Sequence, residues 1–136
     1  MKYLLDVNTL VALGVLQHEF HSRTAHWVRS LPSDEHSELL TCSITELGFV
    51  RVLAQVSQYS LTLAQARSLL LQVKAQSIAK FTFISDGHDI SQLPTWVKNP
   101  KQLTDGHLFA LAKAHGAFLA TLDTKIPRAF LIPKRP

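Results

Sequence analysis

Apolar and polar positions follow two recurring patterns along the chain. Short, continuous apolar runs are typical of buried strands, and longer stretches with apolar residues every three or four positions are typical of helices. The strand-like runs are residues 2–5, 39–42, 81–84, 117–122 and 129–132. The helical stretches are residues 9–17, 24–31, 43–56, 62–76 and 104–115. The pattern predicts that strands and helices alternate from one end of the sequence to the other.

Local signals mark several element ends. Thr62 and Gln65 have the spacing of a capping box at a helix start, and Gly116 stands where a helix commonly stops. Pro94 and Pro100 bracket an irregular loop. Alternation of this kind predicts right-handed βαβ units, hence a mainly parallel sheet with helices on both faces. With no repeat or linker in the sequence, we expect one α/β domain over residues 1–136.

Composition narrows the class of protein. Hydrophobic residues make up 46% of the chain and charged residues 18%, a balance typical of folded domains. The longest apolar run, residues 10–16, is too short to cross a bilayer, and Asp6 interrupts any signal-peptide core. A single cysteine, Cys42, excludes an internal disulfide. We therefore expect a cytoplasmic protein with no membrane association.

The charge balance suits a polyanionic partner. There are 14 Lys and Arg against 10 Asp and Glu, a net charge of +4. If four acids are neutralised by metal, the remaining surplus is 14 against 6, which would attract RNA without specifying its sequence. Simple solubility is the alternative explanation of the same surplus.

Four acids fall at one predicted edge of the sheet. Asp6 and Asp123 each end a predicted strand, and Glu46 and Asp105 each lie in the first turn of a predicted helix. Ligand sites in parallel α/β sheets lie beyond the carboxyl ends of the strands. The sequence thus predicts that these four carboxylates converge.

Each acid also has a structural explanation. Glu46 could close a capping box with Ser43, and Asp105 would be favoured at a helix start by the helix dipole. Either Asp6 or Asn8 could cap the helix that begins at Thr9, and Asp123 could shape a turn before Thr124. These alternatives stay open for each acid taken singly, and the set of four is what favours function.

Clustered carboxylates repel one another unless a cation neutralises them. Mg²⁺ prefers hard oxygen ligands and usually binds through one or two carboxylates plus substrate phosphate. One or two such ions could activate water and stabilise both oxygens of an in-line phosphodiester displacement. The acids therefore point to metal-dependent hydrolysis of a phosphodiester.

Four segments together resemble the acidic motifs of PIN-domain ribonucleases. They are Leu5-Asp6-Val7-Asn8-Thr9, Ile44-Thr45-Glu46-Leu47, Leu103-Thr104-Asp105-Gly106-His107-Leu108 and Thr121-Leu122-Asp123-Thr124. They occur in the family's order over nearly the whole chain and look most like the VapC toxins of bacterial toxin–antitoxin pairs. The resemblance implies a three-layer α/β/α sandwich, dependence on Mg²⁺ or Mn²⁺, RNA cleavage, a homodimer and inhibition by a small VapB-type antitoxin.

The resemblance also implies roles for single residues. Asp6, Glu46 and Asp105 would be the main metal ligands, and Asp123 would be a more peripheral fourth acid. The side chains that would hydrogen-bond to these ligands are Asn8, Thr104 and Thr121. Four cations flank the two C-terminal acid motifs and are candidates for phosphate contacts, with a solvated basic face as the alternative: Lys98, Lys101, Lys125 and Arg128.

Several other residues are further candidates for metal or RNA binding. Asp86 follows a strand and is the main rival metal ligand, although Asp86-Gly87 is a strong turn signal. The spacing of His18 and His21 does not fit a helical zinc motif. Trp27 is expected to pack its helix onto the core, whereas Trp96 could pack or stack on bases. His107, close to Asp105, could approach substrate, pack or lie in solvent.

Two other functions remain open at this point. Asp6-Val7-Asn8-Thr9-Leu10 resembles the opening of aspartate-nucleophile phosphatases, but Asn8 cannot serve there as the general acid. A non-catalytic RNA-binding module is the second alternative.

Overall fold

A single five-stranded parallel sheet organises the chain. The computed structural model describes residues 1–32 and 36–134. The strands are β1 (Lys2–Leu5), β2 (Glu38–Thr41), β3 (Lys80–Phe83), β4 (Phe118–Thr121) and β5 (Phe130–Leu131). Their order across the sheet is β3-β2-β1-β4-β5, with every pairing parallel. The predicted parallel α/β sheet is confirmed.

Helices cover both faces of this sheet. They are α1 (Val7–Gly14), α2 (His21–Ser30), α3 (Ser43–Gln55), α4 (Leu63–Gln76) and α5 (Leu103–Ala114), with short 3₁₀ turns at Ile90–Gln92 and Pro100–Gln102. Side chains alternate along each strand. Leu5 and Leu39 pack in one cluster with residues of α1 to α4, and Leu4 packs in a second cluster with α5. The three-layer sandwich is confirmed.

Most predicted elements lie within a few residues of those observed, and the differences have local causes. α1 begins at Val7 instead of residue 9, because Asp6 is its N-cap and accepts from Thr9 N at 2.9 Å. It ends at Gly14, before the predicted residue 17. α2 begins three residues early, at His21.

Two of the end signals are confirmed. The Thr62–Gln65 capping box has both of its hydrogen bonds, at 2.9 and 3.1 Å. Gly116 follows α5 with a φ of +66°, in the left-handed region that glycine adopts without strain.

The strand order places a topological switch at β1. The chain proceeds from β1 outward through β2 to β3, then returns to the other side of β1 to form β4. Loops at the carboxyl ends of β1 and β4 therefore diverge to opposite faces of the sheet, which opens a crevice between them. In the described part of the chain, no helix is long and apolar enough to cross a membrane.

Candidate active site

Asp6 lies at the switch point and is held on both carboxylate oxygens. Its Oδ1 accepts from Thr9 N at 2.9 Å, and its Oδ2 accepts from Thr121 Oγ1 at 2.6 Å. The side chain is buried, with 6% of its surface exposed. Burial raises the pKa of Asp6, and repulsion from Asp123 adds to this, against the opposing hydrogen bonds from Thr121 and Thr9. The same carboxylate thus caps α1 and faces other acids.

Asp105 and Asp123 share a pocket of about 310 Å³ with Asp6. Asp105 lies in the first turn of α5 and is partly buried, whereas Asp123 is exposed in the loop after β4. Burial raises the pKa of Asp105 to about 6, with repulsion from Asp6 and Asp123 contributing. The polar residues that line the pocket are Asp6, Asn8, Thr104, Asp105 and Asp123. Three of the four predicted acids are therefore brought together.

A close packing contact keeps Asp105 at this place. A Cβ added to the next residue, Gly106, would lie 2.3 Å from Val97 Cγ2. A larger residue at position 106 would push the loop before α5 away from the helix. The glycine lets this loop pack against the first turn of α5.

Glu46 lies at the same sheet edge, after β2, but outside this pocket. Its Oε2 accepts from Thr41 Oγ1 and from Lys74 Nζ, both at 2.6 Å. The predicted capping box between Ser43 and Glu46 is wrong. Helix α3 begins at Ser43 itself, and the preceding Cys42 N donates to Thr45 Oγ1 at 3.0 Å instead. Glu46 is thereby free of the helix cap and engages Lys74.

The three candidates for hydrogen bonds to the acids have different surroundings. Thr121 Oγ1 donates to Asp6 and accepts from Asp123 N at 3.0 Å, so it contacts two acids. Asn8 accepts through Oδ1 from His18 Nε2 at 3.0 Å. Thr104 is exposed at the pocket, next to Asp105 in sequence.

His18 orients Asn8 through a defined ring tautomer. His18 Nδ1 accepts from Phe20 N at 2.9 Å, so in the neutral ring the proton lies on Nε2 and is donated to Asn8. Burial lowers the pKa of His18, which favours this neutral form. The amide N–H groups of Asn8 remain available to the pocket.

The four candidate phosphate contacts are all exposed. Lys98 and Lys101 lie on the segment just before α5, and Lys125 and Arg128 lie on the loop after Asp123. Asp123 Oδ1 accepts from Lys125 N at 2.9 Å, as expected for a turn residue. The basic residues therefore lie close in sequence to Asp105 and Asp123.

The rival acid Asp86 is engaged elsewhere. Its Oδ1 accepts from His88 N at 2.9 Å, as expected for a turn, and its Oδ2 pairs with His107 Nε2. Burial acts to raise the pKa of Asp86, but the bonds from His88 and His107 outweigh it and lower the pKa. Neither Asp86 nor His107 lines the carboxylate pocket.

The tryptophans differ in their packing. Trp27 is 4% exposed and packs edge-to-face on Tyr3, which confirms its predicted core position. Trp96 is partly buried and contacts Phe109.

Three further residues contact the candidate site residues, and no sequence motif predicts these contacts. Thr41 and Lys74 contact Glu46, and His18 contacts Asn8. Lys74 follows Glu46 by 28 residues on another helix, so only the packing of α4 on α3 brings it close.

The donor set suits a hard divalent cation. No three His, Cys, Asp or Glu side chains of the described residues are grouped closely enough to hold a metal ion as they stand. Mg²⁺, however, usually binds proteins through one or two carboxylates. Burial raises the pKa of Asp6 and of Asp105, with repulsion from the neighbouring acids adding to it, and a bound cation would stabilise the ionised form of both carboxylates.

Comparison with known proteins identifies the family of the chain. The family model of the PIN domain matches residues 3–130. Ribonuclease VapC38 of Mycobacterium tuberculosis is 34% identical over 90% of this chain and 86% of its own length. Ribonuclease VapC29 of the same organism is 33% identical over 98% of each chain. The chain belongs to the PIN-domain family, among the VapC ribonucleases.

A solved structure shares the fold. The crystal structure of Mycobacterium tuberculosis VapC20, titled a sarcin–ricin loop cleaving toxin, superimposes with a TM-score of 0.66. The alignment covers 96% of this chain and 99% of that one at 12% identity. At this identity the likeness concerns the three-layer architecture alone.

Proposed function

We propose that this protein is an Mg²⁺- or Mn²⁺-dependent endoribonuclease that acts as the toxin of a type II toxin–antitoxin pair. The observation that carries the proposal is the pocket in which Asp6, Asp105 and Asp123 face one another at the β1–β4 switch point. The membership of the VapC ribonucleases supports RNA as the substrate.

The acids have distinct parts in the proposed mechanism. Asp6 is fixed by Thr9 and Thr121, so its carboxylate is oriented before any ligand arrives. Asp105 is held in the first turn of α5, and Asp123 is the most exposed of the three acids. Together they concentrate negative charge that attracts a divalent cation.

Asp6, Asp105 and Asp123 would hold Mg²⁺ or Mn²⁺, and Glu46 would join them on release from Lys74. When bound, the ion supplies Lewis-acid chemistry that activates water and neutralises charge on the phosphate. Lys98, Lys101, Lys125 and Arg128 would bind neighbouring phosphates of the RNA.

The test is cleavage of RNA by the purified protein. We expect cleavage with Mg²⁺ or Mn²⁺ and none with EDTA. Asp6→Asn should slow the reaction by at least about 100-fold, the scale of losing one electrostatic contact to a transition state. Asn remains a good helix N-cap, so α1 should stay folded.

Asp89→Asn is the matched control, because Asp89 is an exposed acid outside the pocket whose carboxylate accepts from Ser91. It should cleave at the rate of the unaltered protein. RNA cleavage that survives both EDTA and Asp6→Asn would overturn the mechanism.

The partner follows from the proposed toxin role. Exposed apolar side chains on α3 and α4 include Leu47, Leu63 and Leu71, at 56 to 66% exposure. A groove of about 470 Å³ is lined by α4 residues and by Leu61 before it. Surfaces of this kind accept amphipathic segments, so we propose that a VapB-type antitoxin or a second copy of the chain binds here.

Light scattering of the purified protein, alone and with a co-encoded small protein, tests this partner. A homodimer or a defined complex is expected. A protein that is monomeric when dilute and does not bind the small protein would contradict the proposed assembly.

The two alternative functions are an aspartate-nucleophile phosphatase and a non-catalytic RNA-binding module. The PIN-domain match favours a nuclease, and Asn8 is already engaged by His18. A phosphate ester trapped on Asp6 would support the phosphatase. RNA that binds more tightly with Mg²⁺ yet stays intact would support the binding module.

A further inference from the structure

A second cavity, of about 650 Å³, lies further along α5 from the carboxylate pocket. We call it the Trp96 cavity; its wall includes His88, Trp96, Phe109, Lys113 and Arg128. Both cavities draw on the same two elements, α5 and the loop after β4. The acids come from the start of each element, and the cations of the Trp96 cavity come from positions further along. The two cavities therefore lie against the same pair of elements.

Aromatic rings dominate one side of the Trp96 cavity. Trp96 packs edge-to-face on Phe109, with ring centroids 5.9 Å apart, and both are partly buried. Partly buried planar rings of this kind suit a nucleobase.

The charge of the Trp96 cavity suits an anion. Lys113 and Arg128 are exposed, and neither pairs with an acid in the described part of the chain. No Asp or Glu is among the described residues on its wall. The acids on either side of His88 in sequence, Asp86 and Asp89, both accept hydrogen bonds from nearby groups. The two cations are thus available to phosphate.

The two cavities draw on different faces of α5. Residues Thr104, Asp105 and Leu108 line the carboxylate pocket, whereas Phe109, Ala110 and Lys113 line the Trp96 cavity. An RNA strand that contacts both cavities must therefore pass around this helix.

We propose that the Trp96 cavity binds an unpaired nucleotide of the RNA substrate outside the carboxylate pocket. The base stacks on Trp96, and Lys113 and Arg128 bind the adjoining phosphates. This inference rests on the proposed ribonuclease function, since it places a substrate contact beside that active site.

Tryptophan fluorescence offers a direct test, because Trp27 is buried in the core and only Trp96 lines the cavity. The full-length protein is titrated with a single-stranded oligoribonucleotide in EDTA. We expect quenching that Trp96→Phe abolishes and that a duplex of the same sequence does not cause. Equal quenching by the duplex, or none by the single strand, overturns the proposal.

A charge-matched pair of variants tests the phosphate contacts. Lys113→Ala with Arg128→Ala should weaken binding about 10-fold and flatten the dependence of log affinity on log salt by about 1.4. The control, Arg67→Ala with Lys80→Ala, removes two exposed cations from α4 and β3 and should bind RNA as the unaltered protein does. Equal affinity of the two double variants would overturn the proposal.

Failure of this inference differs from failure of the proposed function. If RNA does not quench the fluorescence and both double variants cleave it equally well, the proposed role of the Trp96 cavity is overturned. The proposed ribonuclease function is then unaffected. Quenching with no cleavage in Mg²⁺ or Mn²⁺ supports the cavity and overturns the ribonuclease.

Discussion

Thr121 joins two acids of the pocket through one hydroxyl. It donates to Asp6 at 2.6 Å and accepts from Asp123 N at 3.0 Å, and it is 1% exposed. A hydrogen bond to a charged group contributes about 1.5 to 3 kcal/mol. Thr121 therefore stabilises the ionised form of Asp6 in a place where burial opposes it.

Replacing this hydroxyl should impair the site more than the fold. Thr121→Val removes the donor, so we expect a further rise in the pKa of Asp6 and cleavage slower by about 10-fold. Thr121→Ser keeps the hydroxyl and should retain most activity. Single-turnover cleavage rates measured from pH 5 to 9 check this, and equal rates for Val and Ser variants would contradict the role of the hydroxyl.

Asp105 makes stability depend on pH. Its pKa is about 6 in the folded chain, against about 3.9 for an unperturbed Asp. Between these values the folded state holds a proton that the unfolded state has lost, so stability falls as pH rises through 6. At pH 7.5 the ionised carboxylate should lower the free energy of unfolding by about 1 kcal/mol. The effect is this small because the partly exposed side chain is screened by solvent.

Asp105→Asn should remove this penalty. In EDTA at pH 7.5 we expect the variant to be the more stable by about 1 kcal/mol, with the difference shrinking toward pH 4. Urea unfolding at several pH values measures it. A variant that is less stable at pH 7.5 would contradict the conclusion that burial and the neighbouring acids destabilise the ionised form of Asp105.

Single-residue roles were predictable where they depend on local sequence. Asp6 caps α1 and Asp123 shapes a turn, because each partner lies within three residues. The capping box suggested for Glu46 does not form, because Cys42 N donates to Thr45 Oγ1 instead. The actual partner, Lys74, lies on another helix, and no local pattern encodes that contact.

At the scale of elements, the contact of α4 with α3 controls Glu46. Lys74 Nζ and a cation would compete for the same Glu46 oxygen. Removing the Lys74 charge should therefore lower the Mg²⁺ concentration that gives half-maximal cleavage. Because an ion pair that is this exposed contributes little free energy, we expect that Mg²⁺ concentration to fall by about threefold.

Lys74→Met keeps the apolar stem and tests the competition. Glu46→Gln should shift the Mg²⁺ requirement the opposite way, and Lys80→Met, on an exposed strand end, should leave it unchanged. If Lys74→Met instead raises the requirement, Lys74 positions Glu46 and does not compete with the cation.

The contact of α1 with α3 depends on Gly48. A Cβ there would lie 2.5 Å from Val7 Cγ2, so Gly48→Ala forces the two helices apart. We expect a loss of about 1 to 3 kcal/mol of stability, despite the better helix propensity of Ala. Gly87→Ala, with no atom within 4 Å of the new Cβ, is the control in thermal unfolding. Equal unfolding temperatures would contradict the tight contact.

Element boundaries were less predictable than the elements themselves. The apolar period gives α1 its buried face, but its start depends on the side chain of Asp6 and its end on Gly14. The short 3₁₀ turns in the loop before α5 have no apolar period to reveal them.

At the scale of the whole molecule, the order of the strands creates the site. Because β1 is flanked by β2 and β4, acids from distant parts of the sequence meet at one sheet edge. Alternating strands and helices predicted the parallel sheet, and the position of each acid after a strand or at a helix start predicted the edge. Which of the four acids share a pocket depends on side-chain partners, which the pattern does not contain.

The central claim is that Asp6, Asp105 and Asp123 form a binding site for a divalent cation. Calorimetric titration with Mg²⁺ at pH 6 and 7.5 tests it most directly, on the unaltered protein and Asp105→Asn. We expect proton release on binding near pH 6, tighter binding at pH 7.5, and affinity at least about 10-fold weaker in Asp105→Asn. Binding of equal affinity in both proteins, or no binding at either pH, would contradict the claim.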